Sequence, residues 1–137
     1  PLIKENLRAN DVGATLISAC VSAEEGGGDL DFYCHSEFWR STLIPDSSEN
    51  YDVISVPQVS LDSLLIAHSP EVLVVDVEGA EVGLFKKMKQ RPRKIFVEIH
   101  SPNIGEKATA EVIGDLIARG YSLKDFRGWM FYFERTV

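Results

Sequence analysis

Val72-Leu73-Val74-Val75-Asp76-Val77-Glu78-Gly79-Ala80-Glu81 is the stretch on which the fold turns. Val72 to Val77 is apolar without alternation, the pattern of a strand buried on both faces. Gly79 permits a tight turn, and Ala80 to Lys89 then sets Leu84, Phe85 and Met88 at helical spacing. Lys94 to Ile99 is a second apolar strand, so the three segments form a β-α-β unit. Such a unit predicts a parallel sheet sandwiched by helices.

Upstream, Ser60 is a good N-cap for a helix through His68, with Leu61, Leu64 and Leu65 inward and Pro70 ending it. Tyr51 to Val56 reads as a strand, and Ser36 to Asn50 as a loop that covers a site or merely connects. Ala14 to Val21 and Leu30 to His35 are two further strands, able to pair as a hairpin around the turn Glu24 to Gly28. Leu2 to Asn10 is a short helix stopped near Gly13. Downstream, Ala108 to Arg119 is a helix with Val112, Ile113, Leu116 and Ile117 on one side. Tyr121 to Phe126 and Trp129 to Glu134 follow as an antiparallel hairpin around Arg127-Gly128.

The chain has 137 residues, enough for one domain, and a formal charge of -7, which argues against a nucleic-acid partner. Its basic cluster, Lys86 to Lys94, reads as a solvated helix end. Cys20 and Cys34 lack metal-ligand spacing and read as buried free thiols. No apolar run approaches the roughly 20 residues of a membrane span, and Pro1 to Asn10 is too polar for a secretory signal. A cytoplasmic protein with no membrane partner is the expectation. The start at Pro1 without Met suggests a fragment of a longer chain.

In open α/β sheets ligands sit outside the carboxyl ends of the strands, where Asp76 and Glu78 lie two apart and share a face. Glu98 and His100 end the neighbouring strand in the same way, and an imidazole serves as a base near neutral pH. Glu81 falls on the inward stripe of Leu84, Phe85 and Met88, where a carboxylate needs a partner or a polar cleft. Plainer readings compete: Glu78 and Glu81 as first-turn acids complementing a helix dipole, His100 as a structural hydrogen-bonder. Asp76, Glu78, Glu98 and His100 are suitable metal-ligand types, but no spacing fixes a geometry and no metal is assigned. Tyr33, Phe38, Trp39 and Trp129 read as core or loop anchors.

The order Val59 to Leu65, then Asp76-Val77-Glu78-Gly79-Ala80-Glu81, then Ile95 to His100 resembles the FkbM methyltransferase family. That family's pattern is a Leu-Asp-x-Leu helix start, an Asp-x-Glu-Gly-x-Glu strand end and an apolar strand closing in Glu. Leu7 to Asn10, Ala19 to Ser22 and Ser41 to Leu43 resemble its upstream pieces. The resemblance implies a Rossmann-like class I methyltransferase sheet, parallel except for one strand of the C-terminal hairpin. It also implies S-adenosylmethionine as cofactor and a hydroxyl of a small molecule or glycan as acceptor. Within it, Glu78, Glu81, Glu98 and His100 are the catalytic candidates, Asp76 faces the cofactor, and Ala19 and Cys20 border the adenine. Val74 stands where the family usually has Lys, and the first two strands, with the Gly-rich cofactor loop, are expected before Pro1. A non-catalytic methyltransferase-like scaffold is the competing class; a carboxylate-pair hydrolase lacks a second motif.

Overall fold

The computed structural model describes residues 2–24 and 28–136, apart from the side chain of Trp39. Most of the expected turn from Glu24 to Gly28 therefore lies outside the described residues. The elements are α1 (Leu2–Ala9), β1 (Cys20–Ser22), β2 (Asp29–Cys34), a single 3-10 turn (Phe38–Arg40) and β3 (Asp52–Ser60). They continue as α2 (Leu61–His68), β4 (Val72–Val75), β5 (Lys94–Glu98), α3 (Ser101–Ala118), β6 (Tyr121–Arg127) and β7 (Met130–Arg135).

The strands form two sheets, not one. The first has the order β1-β3-β2 and the second β4-β5-β7-β6. In the second, β4 and β5 pair in parallel, and β7 is antiparallel to both β5 and β6, so only β7 runs against the rest. That sheet follows the sequence expectation except at the hairpin turn, which falls at Gly128-Trp129 instead of Arg127-Gly128 and takes Trp129 out of β7. The first does not: β1 pairs in parallel with β3, and β2 antiparallel with β3, so the expected hairpin between the first two strands is absent. Of the anticipated Ala14 to Val21 strand only Cys20 and Val21 pair, in a β1 that runs on to Ser22, whereas β3 extends four residues beyond Val56 and gives both neighbours their ladder.

Four other expectations change. β4 is not buried on both faces: Val75 is buried, while Val72 and Val74 are exposed on the other side. The segment Ala80 to Lys89 is a run of turns, not an α-helix, closed by three-residue bonds from Leu84 to Glu81, Lys86 to Gly83 and Met88 to Phe85. Gly83, at φ +75°, holds a conformation that cannot continue a right-handed helix. The inward stripe nevertheless survives, because three-residue spacing also returns side chains to one side. Glu81, Leu84, Phe85 and Met88 are all buried. α3 begins at Ser101 instead of Ala108 and is interrupted at Gly105, φ +82°. Cys20 and Cys34 are free but only half-buried.

The core lies on one face of the second sheet. Val75, Ile95, Val97 and Phe133 meet Leu84, Phe85 and Met88 of the turn run, Val112 and Leu116 of α3, and Leu61 and Leu65 of α2. The opposite face carries Phe96 stacked on Tyr132 at 4.6 Å. The basic cluster is tied up at the surface, with Lys86 on Glu111, Lys87 on Glu24 and Arg93 on Glu71 and Glu134. Among the described residues no helix is long and apolar enough to cross a membrane.

α2 is capped as its sequence predicts. Ser60 Oγ accepts from Ser63 N at 3.0 Å, and Ser69 closes the other end in a left-handed conformation immediately before Pro70. Replacing Ser60 with Ala should cost about 1 kcal/mol, read as a lower denaturant midpoint at unchanged slope.

Candidate active site

The parallel register sets Val75 beside Val97, so the two strands end level with each other. Asp76 leaves β4 where Glu98 closes β5. The chain after Asp76 reverses sharply, with Glu78 at φ +48° and Gly79 at φ +97°. At Glu78 this is a backbone state that a side chain rarely adopts, and it marks a constrained site. The reversal turns Glu81 back beneath the strand ends, where it is fully buried and its Oε1 accepts from Gly79 N at 3.1 Å.

His100 sits between β5 and α3 and is 6% exposed. Its Nδ1 lies 2.6 Å from the same Glu81 Oε1. A carboxylate donates nothing, so Nδ1 carries the hydrogen and Nε2 is the ring nitrogen that looks outward. Three more carboxylates converge on Nε2: Glu78 Oε2 at 3.3 Å, Asp76 Oδ1 at 3.7 Å and Glu98 Oε1 at 4.0 Å. Thus Asp76, Glu78, Glu81, Glu98 and His100 come together around one imidazole. Trp129 carbonyl accepts from Ile99 N at 2.8 Å and so fastens the end of β5 to the β6–β7 turn.

The electrostatics follow from crowding. Burial alone would push the His100 imidazole down, but its hydrogen bond to Glu81 and the charges of Glu78, Glu81 and Glu98 outweigh burial and hold it above its ordinary value. Glu78 is pushed up by desolvation first and by Asp76, Glu98 and Glu81 next, against the attraction of His100. Asp76, Glu98 and His100 each also offer one ligand atom within 4.8 Å of the others, an oxygen and nitrogen set that a divalent cation accepts.

Two clefts flank the cluster, with no lining residue in common among the described residues. The larger, about 880 Å³, is polar at its floor and lined by Glu78, Glu98, His100, Arg40, Tyr51 and Trp129, among others. Its far wall is the loop Ser36 to Asn50, fastened where Thr42 Oγ1 donates to Glu78 carbonyl at 2.8 Å. Arg40 is held by Glu37 and Glu49 at the loop's edge. The second, about 600 Å³, is walled by Ile17, Val21, Leu61, Leu65, Leu73 and Val75, with Asp76 among its lining residues. Asp76 lines the second cleft only, but its Oδ1 reaches to 3.7 Å from Nε2 of His100, which lines the first. Ala19 and Cys20 line neither cleft; Ile17 and Val21, on either side of them, line the apolar one. Sequence reasoning missed Arg40, Thr42, Tyr51 and Trp129 as site residues. Arg40 and Thr42 had a signal, their place in the loop Ser36 to Asn50 that the sequence offers as a cover for a site.

The profile of the Methyltransferase FkbM domain matches residues 6–135. The chain belongs to the FkbM methyltransferase family. No curated protein and no solved structure matches it. The match covers nearly the whole chain, from α1 to the end of β7, and includes both strand ends that carry the acidic cluster. For this FkbM-family chain, methyl transfer is the activity class.

Proposed function

We propose that the protein transfers a methyl group from S-adenosylmethionine to a hydroxyl oxygen of a small-molecule or sugar acceptor, on a Rossmann-like methyltransferase sheet. The observation that carries this reading is the contact at Asp76. Its carboxylate is 3.7 Å from Nε2 of His100, which lines the polar cleft, while Asp76 itself lines the apolar one. A transfer between two bound molecules needs two neighbouring sites, and a cleft on each side of the Asp76–His100 contact supports that reading.

The apolar cleft fits the cofactor's adenosine. Ile17, Val21, Leu73 and Val75 offer a surface for a flat base, and the Asp76 carboxylate would accept hydrogen bonds from ribose hydroxyls of a bound cofactor. When bound there, S-adenosylmethionine supplies an electrophilic methyl carbon. The protein's own work is on the acceptor. His100 Nε2 takes the hydroxyl proton as the oxygen attacks, and Glu81 holds the ring in the tautomer that leaves Nε2 free. The Glu81 charge also stabilises the imidazolium that forms. Glu78 and Glu98 border Nε2 and orient the acceptor by accepting from its hydroxyls.

The base works only when neutral, and its pKa is raised above the ordinary 6.5. Activity should therefore rise with pH, with its acid limb centred above that value, as a rate profile from acid to mildly alkaline pH would record. Calorimetric titration of the full-length protein with S-adenosylmethionine, followed by methyl-transfer assays on hydroxyl compounds, tests the function. Absence of binding would leave a non-catalytic scaffold as the better account, and binding with transfer only to nitrogen would sink the hydroxyl acceptor.

A further inference from the structure

Trp129 is placed unlike an anchor. An indole in a two-residue hairpin turn has no need to be at the core, yet it lies on the wall of the polar cleft with half of its surface exposed. Its backbone is fixed by the bond from Ile99 N at 2.8 Å, one residue before His100. The two rings are 6.5 Å apart between centroids and tilted by 52°, so they form adjoining walls and not a stack. Half of the Trp129 surface is thus left uncovered, on a residue that lines the same cleft as His100. Exposed aromatic surface beside a polar floor favours a ligand ring.

We propose that Trp129 is the platform on which a ring-shaped acceptor lies, so that its hydroxyl meets His100 Nε2, and that it selects cyclic over open-chain alcohols. The inference rests on reading the polar cleft as the acceptor site. Either the apolar face of a sugar ring or the face of a phenol satisfies the indole, because both present C–H or π surface with a hydroxyl at the edge. Tyr51 and Arg40 on the loop wall bound the space such a ring would enter. A flexible open-chain polyol would lose more conformational freedom on binding and offer the indole no continuous face.

The test uses the protein without cofactor. The chain has two tryptophans, and Trp129→Phe assigns which indole N–H signal in a nitrogen-15 correlation spectrum belongs to Trp129. Methyl β-D-glucopyranoside, phenol and sorbitol are titrated separately. The expected result is that at least one ring probe moves the Trp129 signal saturably while sorbitol does not, and which of the two rings binds names the acceptor's chemistry. Trp129→Ala should weaken that probe about threefold to tenfold, with Trp129→Phe retaining most of the affinity. Equal shifts with sorbitol, or no shift with any probe, would overturn the platform. Ring-selective shifts without methyl transfer would reject the proposed function and leave the platform standing; transfer to a probe that leaves the indole unmoved would do the reverse.

Discussion

Glu81→Gln is expected to lower methyl transfer about a hundredfold or more while leaving the melting temperature nearly unchanged. The amide keeps the volume of a side chain that is fully buried, and its oxygen can still accept from Gly79 N. What it loses is the negative charge 2.6 Å from His100 Nδ1. Without that charge the imidazolium formed during proton transfer is less stable, and its pKa falls. The acid limb of the rate profile should move to lower pH as the plateau drops. Stability is little affected because removing a buried charge also removes its desolvation cost, and Glu81 Oε2 has no hydrogen-bond partner among the described residues. The alternative account of Glu81, an acid complementing a helix dipole, has no helix to act on, since residues 80–89 form successive turns. Unchanged turnover with a lower melting temperature would nevertheless sink the catalytic role.

The strand ends were legible in the sequence because two independent patterns agreed there. Apolar runs located β4 and β5, and the acids stood at their ends, Asp76 just beyond β4 and Glu98 as the last residue of β5. The helix expected between them was not legible, and the reason is specific. Leu84, Phe85 and Met88 satisfy a three-residue turn as well as a helix, and only the backbone at Gly83 decides between them. Burial on both faces was misread for a related reason: an all-apolar strand carries no mark of which side its partners leave open, and Val74 is two-thirds exposed at 67%. The bond from Glu81 to His100 joins residues nineteen apart and depends on the register of Val75 against Val97, which no local pattern states. Trp129 was hidden more deeply. Its position depends on β7 pairing antiparallel to β5, with Glu98 opposite Met130, which brings the turn to the cluster.

Asp62→Ala is expected to destabilise the protein by about 2–3 kcal/mol at neutral pH, a fall of roughly 10 °C in melting temperature. From the sequence Asp62 is a first-turn acid of α2, and a dipole contribution alone would be worth only about 0.3–1 kcal/mol. The structure gives it more to do. It is 5% exposed, and its Oδ1 accepts from Lys89 N at 2.7 Å and Gln90 N at 3.4 Å, while Oδ2 lies 3.5 Å from Lys89 Nζ. These contacts clamp the end of the turn run, with Phe85 and Met88 on it, to the start of α2. A segment with few internal hydrogen bonds depends on such external ties. The Lys89 backbone N–H, chiefly, and the other donors hold the Asp62 carboxyl below its ordinary value against the opposing effect of burial. A depressed carboxylate stabilises the fold fully above its unfolded pKa of about 3.9, and that contribution is lost as pH falls through the lower folded value. The stability gap between the parent protein and Asp62→Ala should therefore be widest at neutral pH and narrow in acid. Thermal unfolding of both from pH 7 down to about pH 3 measures it. A gap below about 1 kcal/mol that does not vary with pH would reduce Asp62 to a helix-dipole acid and leave the turn run held by its apolar stripe alone.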